Sequence, residues 1–100
     1  MRDLVVRVLS FHPAPTLDRA LGLVGWVNIT IDGLWRIDGI VVRRSSAGHV
    51  YVTVPERVDH SGRRHRTIGP VEPWARREVE RQILAQLTDR AARRQKVLAT

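Results

Sequence analysis

The chain has no cysteine, a single methionine, and only five aromatic residues in 100. Lack of cysteine excludes disulfides, thiol nucleophiles and thiolate metal sites together. No apolar run approaches the length of a membrane span. The opening residues, with Arg2, Asp3 and Arg7 around the short Leu4-Val5-Val6 run, do not read as a secretory leader. A cytoplasmic protein is therefore expected. There is no His-x-x-x-His pair, no phosphate-binding Walker loop, and no nucleophile with an orienting base. No enzyme activity, cofactor, metal or small-molecule substrate is expected. Acidic residues are scarce as well: ten Asp+Glu stand against seventeen Lys+Arg, a formal net charge of +7.

An apolar fraction of 43% suffices for one domain with a modest core. The charge is uneven. Residues 1–56 carry six Arg and five acidic residues, a sum of +1; residues 57–100 carry eleven Lys+Arg and five acidic residues, a sum of +6. Clustered cations bind polyanions by releasing condensed counterions. Nucleic acid is the expected partner, ahead of a membrane surface.

The pattern divides into four stretches. Residues 1–22 hold a Val/Leu-rich strand, Leu4–Phe11, which His12-Pro13-Ala14-Pro15 is expected to break. Residues 23–54 hold antiparallel strands. Asp32-Gly33 between apolar runs predicts a two-residue type I′ turn, since both positions need positive φ. That register pairs Ile31 with Leu34, Ile29 with Arg36, and Trp26 with Gly39. Neither resulting face is cleanly polar, so a partner subunit is expected to cover one of them. Arg43–His49 reads as a turn and Val50–Val54 as a half-buried strand ended by Pro55. Residues 55–71 form a basic connector, with Thr67-Ile68 as a possible last strand. Residues 72–98 form a helix opened by Pro73. Its stripe is Ala75, Val79, Ile83, Leu87 and Ala91, and its end is expected to fray beyond Ala91. The fold class is α+β: a small antiparallel sheet of four to five strands with a long C-terminal helix, forming a homodimer.

Several of these pieces recur together elsewhere. Asn28-Ile29-Thr30-Ile31-Asp32, Val52-Thr53-Val54-Pro55-Glu56-Arg57, Ser61-Gly62, Pro70-Val71 and the following helix resemble the stage V sporulation protein G family of septation regulators. The resemblance covers roughly Val24 to Leu87. It implies a dimeric sheet-plus-helix protein that binds DNA or RNA in gene regulation. The family's basic pair after the strand-ending proline corresponds to Arg57 and Val58. Here Glu56 stands in place of a serine, Gly69 in place of a histidine, and the tail is basic rather than acidic.

The candidate nucleic-acid-binding residues are Arg57, Arg63, Arg64, Arg66 and His65 in the connector, Arg43 and Arg44 before it, and Arg76 and Arg77 at the helix start. Guanidinium forks match phosphate bidentately and also stack on bases. Cations at a helix N-terminus are unfavourable unless an anion joins them; Glu78 and Glu80 offer neutralisation within the helix. Trp26 is expected to cover the bare backbone at Gly39, and Tyr51 is the aromatic most open to a base. Two rival functions remain: a protein-interaction adaptor in septation, and a small nucleic-acid hydrolase acting through His60 or His65.

Overall fold

The structure is a computed structural model that describes residues 3–66, 69, 70 and 72–99; the side chains of Arg66 and of residues 95–99 lie outside that description. The chain runs β1 (Val6–Pro13), α1 (Thr16–Ala20), β2 (Leu23–Ile31), β3 (Trp35–Arg44), β4 (Val50–Thr53), β5 (Glu56–Val58), β6 (Arg64–Arg66) and α2 (Pro73–Ala99). Strands β1 to β4 form an antiparallel sheet in sequential order, and β5 and β6 form a separate two-stranded sheet. The protein is thus an α+β fold, a four-stranded antiparallel sheet with a C-terminal helix. Among the described residues no helix is long and apolar enough to cross a membrane.

The Asp32-Gly33 turn forms as its chemistry demands, with φ of 55° and 68° and the Leu34 N–H donating to the Ile31 carbonyl. The strand pairing beyond it differs from the expected one. Ile31 faces Trp35, Thr30 faces Arg36 and Ile29 faces Ile37. A second shift follows, so that Val27 faces Ile40 and Trp26 faces Val41. The cause is a bulge at Asp38-Gly39, where Gly39 takes a φ of 76° that other residues avoid. Asn28 holds the bulge: its Oδ1 accepts the Gly39 N–H at 3.0 Å, while its Nδ2 donates to Ser10 Oγ at 3.0 Å. Ser10 adjoins the second bulge beside Asn28, where Leu9 is the extra residue between Val8 and Ser10. One side chain therefore anchors both bulges. A third irregularity, Leu23/Gly25, lies at the start of β2.

The bulges decide which side chains are buried. Val6, Val8, Val27, Ile29, Ile40, Val42 and Val52 face α2, and Ile83 of the helix is fully buried against them. Ile37, assigned by the simple register to the other face, packs on this core, while Leu34 and Trp35 are exposed. The aromatic cover for a bare backbone exists, but with different partners. Phe11, not Trp26, lies over a glycine, and that glycine is Gly25, not Gly39. A Cβ at Gly25 would stand 2.4 Å from the His12 carbonyl and 2.6 Å from the Phe11 ring. Contact that close with backbone cannot relax. Gly25→Ala is expected to cost about 3 kcal/mol or more, at the upper end of overpacking, read as a lower midpoint in urea at unchanged m-value.

Three further boundaries differ from the sequence reading. Strand β1 continues through Pro13, which pairs with Gly25; β1 is an edge strand, where a missing N–H is tolerated. Arg43 and Arg44 belong to β3 rather than to a turn, opposite Tyr51 and Val50. Helix α2 runs from Pro73 to Ala99, one residue later at each end than expected. Its stripe packs through Val79, Ile83, Leu84 and Leu87, but Ala91 is exposed, because a helix of 27 residues outruns the sheet. The candidate strand at Thr67-Ile68, and the side chains of Val97 and Leu98, lie outside the described residues.

Helix α2 does more than bury its apolar stripe. Gln82 Oε1 accepts the Val6 N–H at 2.7 Å and Gln82 Nε2 donates to the Leu4 carbonyl at 2.7 Å. One turn on, Gln86 Oε1 accepts the Val8 N–H at 2.8 Å and Nε2 donates to the Val6 carbonyl at 2.6 Å. Arg90 then donates to the Val8 carbonyl at 2.7 Å. Four residues of helix rise about 6 Å and two residues of strand about 6.6 Å, so side chains at every fourth position meet every second peptide. The amides imitate a neighbouring strand and close the β1 edge. Across the sheet, Glu80 Oε2 accepts the Val52 N–H at 3.1 Å on the β4 edge.

Candidate nucleic-acid interface

The basic connector is not an irregular loop. It folds as a hairpin, with Glu56 opposite Arg66, Arg57 opposite His65 and Val58 opposite Arg64. Asp59 builds its turn. The Asp59 Oδ1 accepts from the Ser61 N–H (2.9 Å), the Ser61 hydroxyl (2.7 Å) and the Arg63 N–H (2.9 Å). Its Oδ2 lies 2.6 Å from His65 Nε2. The Asp59 N–H donates to the Arg63 carbonyl and the Gly62 N–H to the Asp59 carbonyl, and Gly62 supplies the positive φ of 85°. The hairpin follows from an Asp-x-Ser-Gly turn between two short extended stretches.

The His65 contact first, then the Ser61 hydroxyl and the Arg63 amide, lower the Asp59 pKa from 3.8 to about 2. A carboxyl held below its ordinary value stabilises the folded turn above about pH 4, and that contribution disappears as pH falls through about 2. The Ser61 and Arg63 amide resonances are therefore expected to stay fixed from pH 7 to about 4. They should shift together towards random-coil positions between about pH 4 and 2, measured by NMR titration. An Asp59→Asn variant should remove that transition.

Beyond its own two strands, the hairpin has no Cα within 8 Å of any other helix or strand among the described residues. A two-stranded hairpin with no further packing is marginal in water, so the Asp59 turn carries much of its order. The radius of gyration, 14.9 Å against about 13 Å for a compact chain of this length, fits a body with projecting parts.

Charge on the arm is open to solvent. Among the described residues the ion pairs are Arg36–Asp38, His65–Asp59, Arg81–Glu78 and Arg93–Asp89. Arg57, Arg63, Arg64, Arg43, Arg44, Arg76 and Arg77 take part in none of them, and all seven are exposed. Glu78 and Glu80 do not neutralise Arg76 and Arg77, contrary to the sequence expectation. Glu78 binds Arg81 through both carboxylate oxygens and also accepts from Gln82, which lowers its pKa to about 2. Glu80 serves the β4 edge.

The candidate residues fall into three places. Arg57, Arg63, Arg64, His65 and the backbone position of Arg66 share the hairpin. Arg76 lines a cleft with Glu56, Val54 and Pro70, at the base of that hairpin. Arg77 lines a different cleft, with Asp3, Leu4 and Trp74, beside the start of β1. Arg43 and Arg44 sit at the far end of β4, six extended residues from Glu56 or about 20 Å along the chain. His60 is exposed in the turn, and Ser61 donates its hydroxyl to Asp59 rather than to an imidazole. The Ser61 hydroxyl is thereby not set up to lose a proton to His65. Among the described residues no three metal-ligating side chains come together.

Fold and site together define a small α+β domain that presents a basic β-hairpin arm. No protein-family model matches this chain, and no curated protein matches it.

Proposed function

We propose that this protein is a nucleic-acid-binding regulatory protein that docks on phosphates through the β5–β6 hairpin and works as a homodimer. The observation that carries this reading is the hairpin itself: among the described residues Arg57, Arg63 and Arg64 are exposed and in no ion pair, on an arm with no Cα within 8 Å of another helix or strand. Like charges crowded without a counterion favour an anionic partner. Arg76 at the arm's base extends the same surface. The likeness to the stage V sporulation protein G family points the same way, towards regulation of transcription or transcript fate.

Dimerisation is supported by the sheet face turned away from α2. By strand alternation that face carries Trp26, Asn28, Thr30, Val41, Arg43, Tyr51 and Thr53, while the core that α2 covers lies on the opposite face. Two copies would double the number of arms, and linked contacts raise affinity beyond one arm's share. A mobility-shift panel of duplex DNA, single-stranded DNA and RNA, with light scattering on the same sample, tests both parts. The reading expects a shift with at least one polymer and a mass of two chains. Failure to shift any of them at low salt would refute the binding role.

A further inference from the structure

We propose that the β5–β6 hairpin is an insertion arm that enters the major groove of B-form duplex DNA tip first, its two faces meeting the two phosphate walls. This rests on the nucleic-acid reading above and adds the form of the polymer, the groove and the division of labour among the residues. The first argument is shape. A two-stranded ribbon with side chains on both faces is about 10 Å thick, and each three-residue strand is about 10 Å long. The B-form major groove is about 12 Å wide and about 8.5 Å deep, so the ribbon fits it in both dimensions, whereas the minor groove is about 6 Å wide. The major groove of A-form RNA is deep and too narrow for side chains to read. Among the described residues no Cα of the hairpin lies within 8 Å of another helix or strand, so beyond its base at Glu56 the arm stands clear for insertion.

The second argument is where the charges lie. The register puts Arg57 and His65 on one face of the ribbon, and Arg64 with Val58 on the other, which also holds Glu56 and the Arg66 position at the base farthest from the tip. A ribbon lying flat in a groove would need its cations on one side only. Cations on both faces suit a ribbon standing between two walls of phosphate. The tip is Asp59 to Arg63. Its acidic residue accepts hydrogen bonds from Ser61, Arg63 and His65 inside the turn. The Asp59 contacts also fix the Arg63 backbone, leaving an exposed guanidinium at the leading end. An arginine so placed is the side chain that pairs bidentately with guanine O6 and N7 at the groove floor.

The test uses the full chain and three fluorescent probes of one sequence: a DNA duplex, the matching RNA duplex, and one DNA strand alone. Anisotropy is followed at about 50 mM salt, where phosphate contacts are strong. The DNA duplex is expected to bind at least about tenfold tighter than either other probe, the discrimination of a bidentate base contact. Netropsin, which fills the minor groove, should leave that binding unchanged. Equal affinity for the RNA duplex or the single strand overturns the proposal, as does displacement by netropsin. Binding to none of the probes would remove the nucleic-acid reading itself, so the two failures are distinguishable.

Discussion

Replacing Arg57, Arg63 and Arg64 together by alanine is expected to weaken nucleic-acid binding by roughly two to three orders of magnitude at about 0.1 M salt. Each phosphate contact releases counterions worth roughly 0.9 in the slope of log K against log salt on duplex DNA, so loss of the Arg57 and Arg64 phosphate contacts takes about 1.8 from that slope, and loss of the Arg63 base contact lowers affinity further. The thermal midpoint should hardly change. Among the described residues the hairpin has no Cα within 8 Å of another helix or strand, and its turn is held by Asp59, Ser61 and backbone groups rather than by guanidinium contacts. This pairing of outcomes separates a binding arm from a structural one. If the triple variant instead unfolds at lower temperature with binding intact, the arginines serve the fold. Replacing Arg43 and Arg44 should cost less, because they lie at the other end of β4.

A large loss of stability is expected from Gln82→Ala with Gln86→Ala. The two glutamines hold the N–H groups of Val6 and Val8 and the carbonyls of Leu4 and Val6. A buried polar group left without a partner costs about 1–3 kcal/mol. Water can reach part of this edge, so the low end of the range applies and the double change should cost about 2–4 kcal/mol. For a domain of this size that lowers the thermal midpoint by roughly 10–20 °C. Gln86→Glu gives a sharper readout. It keeps an acceptor for Val8 but sets a carboxylate against the Val6 carbonyl, so stability should recover as pH falls through about 4.3 and the side chain regains a donor. Light scattering should also show the alanine variant associating through its bared β1 edge. An unchanged melting curve would mean that the amide ladder contributes nothing.

What the sequence made legible follows a physical divide. Asp32-Gly33 specified its turn because two positive φ angles leave few alternatives. Pro73 and the four-residue spacing of Val79, Ile83 and Leu87 specified the helix and the face it buries. Register was not legible, because one bulge residue shifts every pair beyond it, and two bulges flank Asn28. Gly39 within a strand pattern was the available signal for one of them. Asn28, with bonding partners on both neighbouring strands, has no sequence signature at all.

The arm shows the same divide. Its arginines were evident from charge density, but their presentation depends on Asp59. An Asp-x-Ser-Gly turn between short extended stretches was the sign that the connector would pair with itself. Expectation also failed for Glu80, because a carboxylate near Arg76 and Arg77 in sequence turned out to serve a strand edge. Gln82, Gln86 and Arg90 carry no mark in the sequence of a role at a strand edge. Their spacing of four, beside the apolar stripe, matches the peptide repeat of an edge strand, and that match emerges only once β1 lies alongside the helix.

The most direct test of the account is the salt dependence of wild-type binding to a DNA duplex, compared with the triple arginine variant. The account predicts a straight line of log K against log salt for the wild type, steeper than about −1.8, and a line shallower by about 1.8 for the variant. Parallel lines for the two proteins would contradict it.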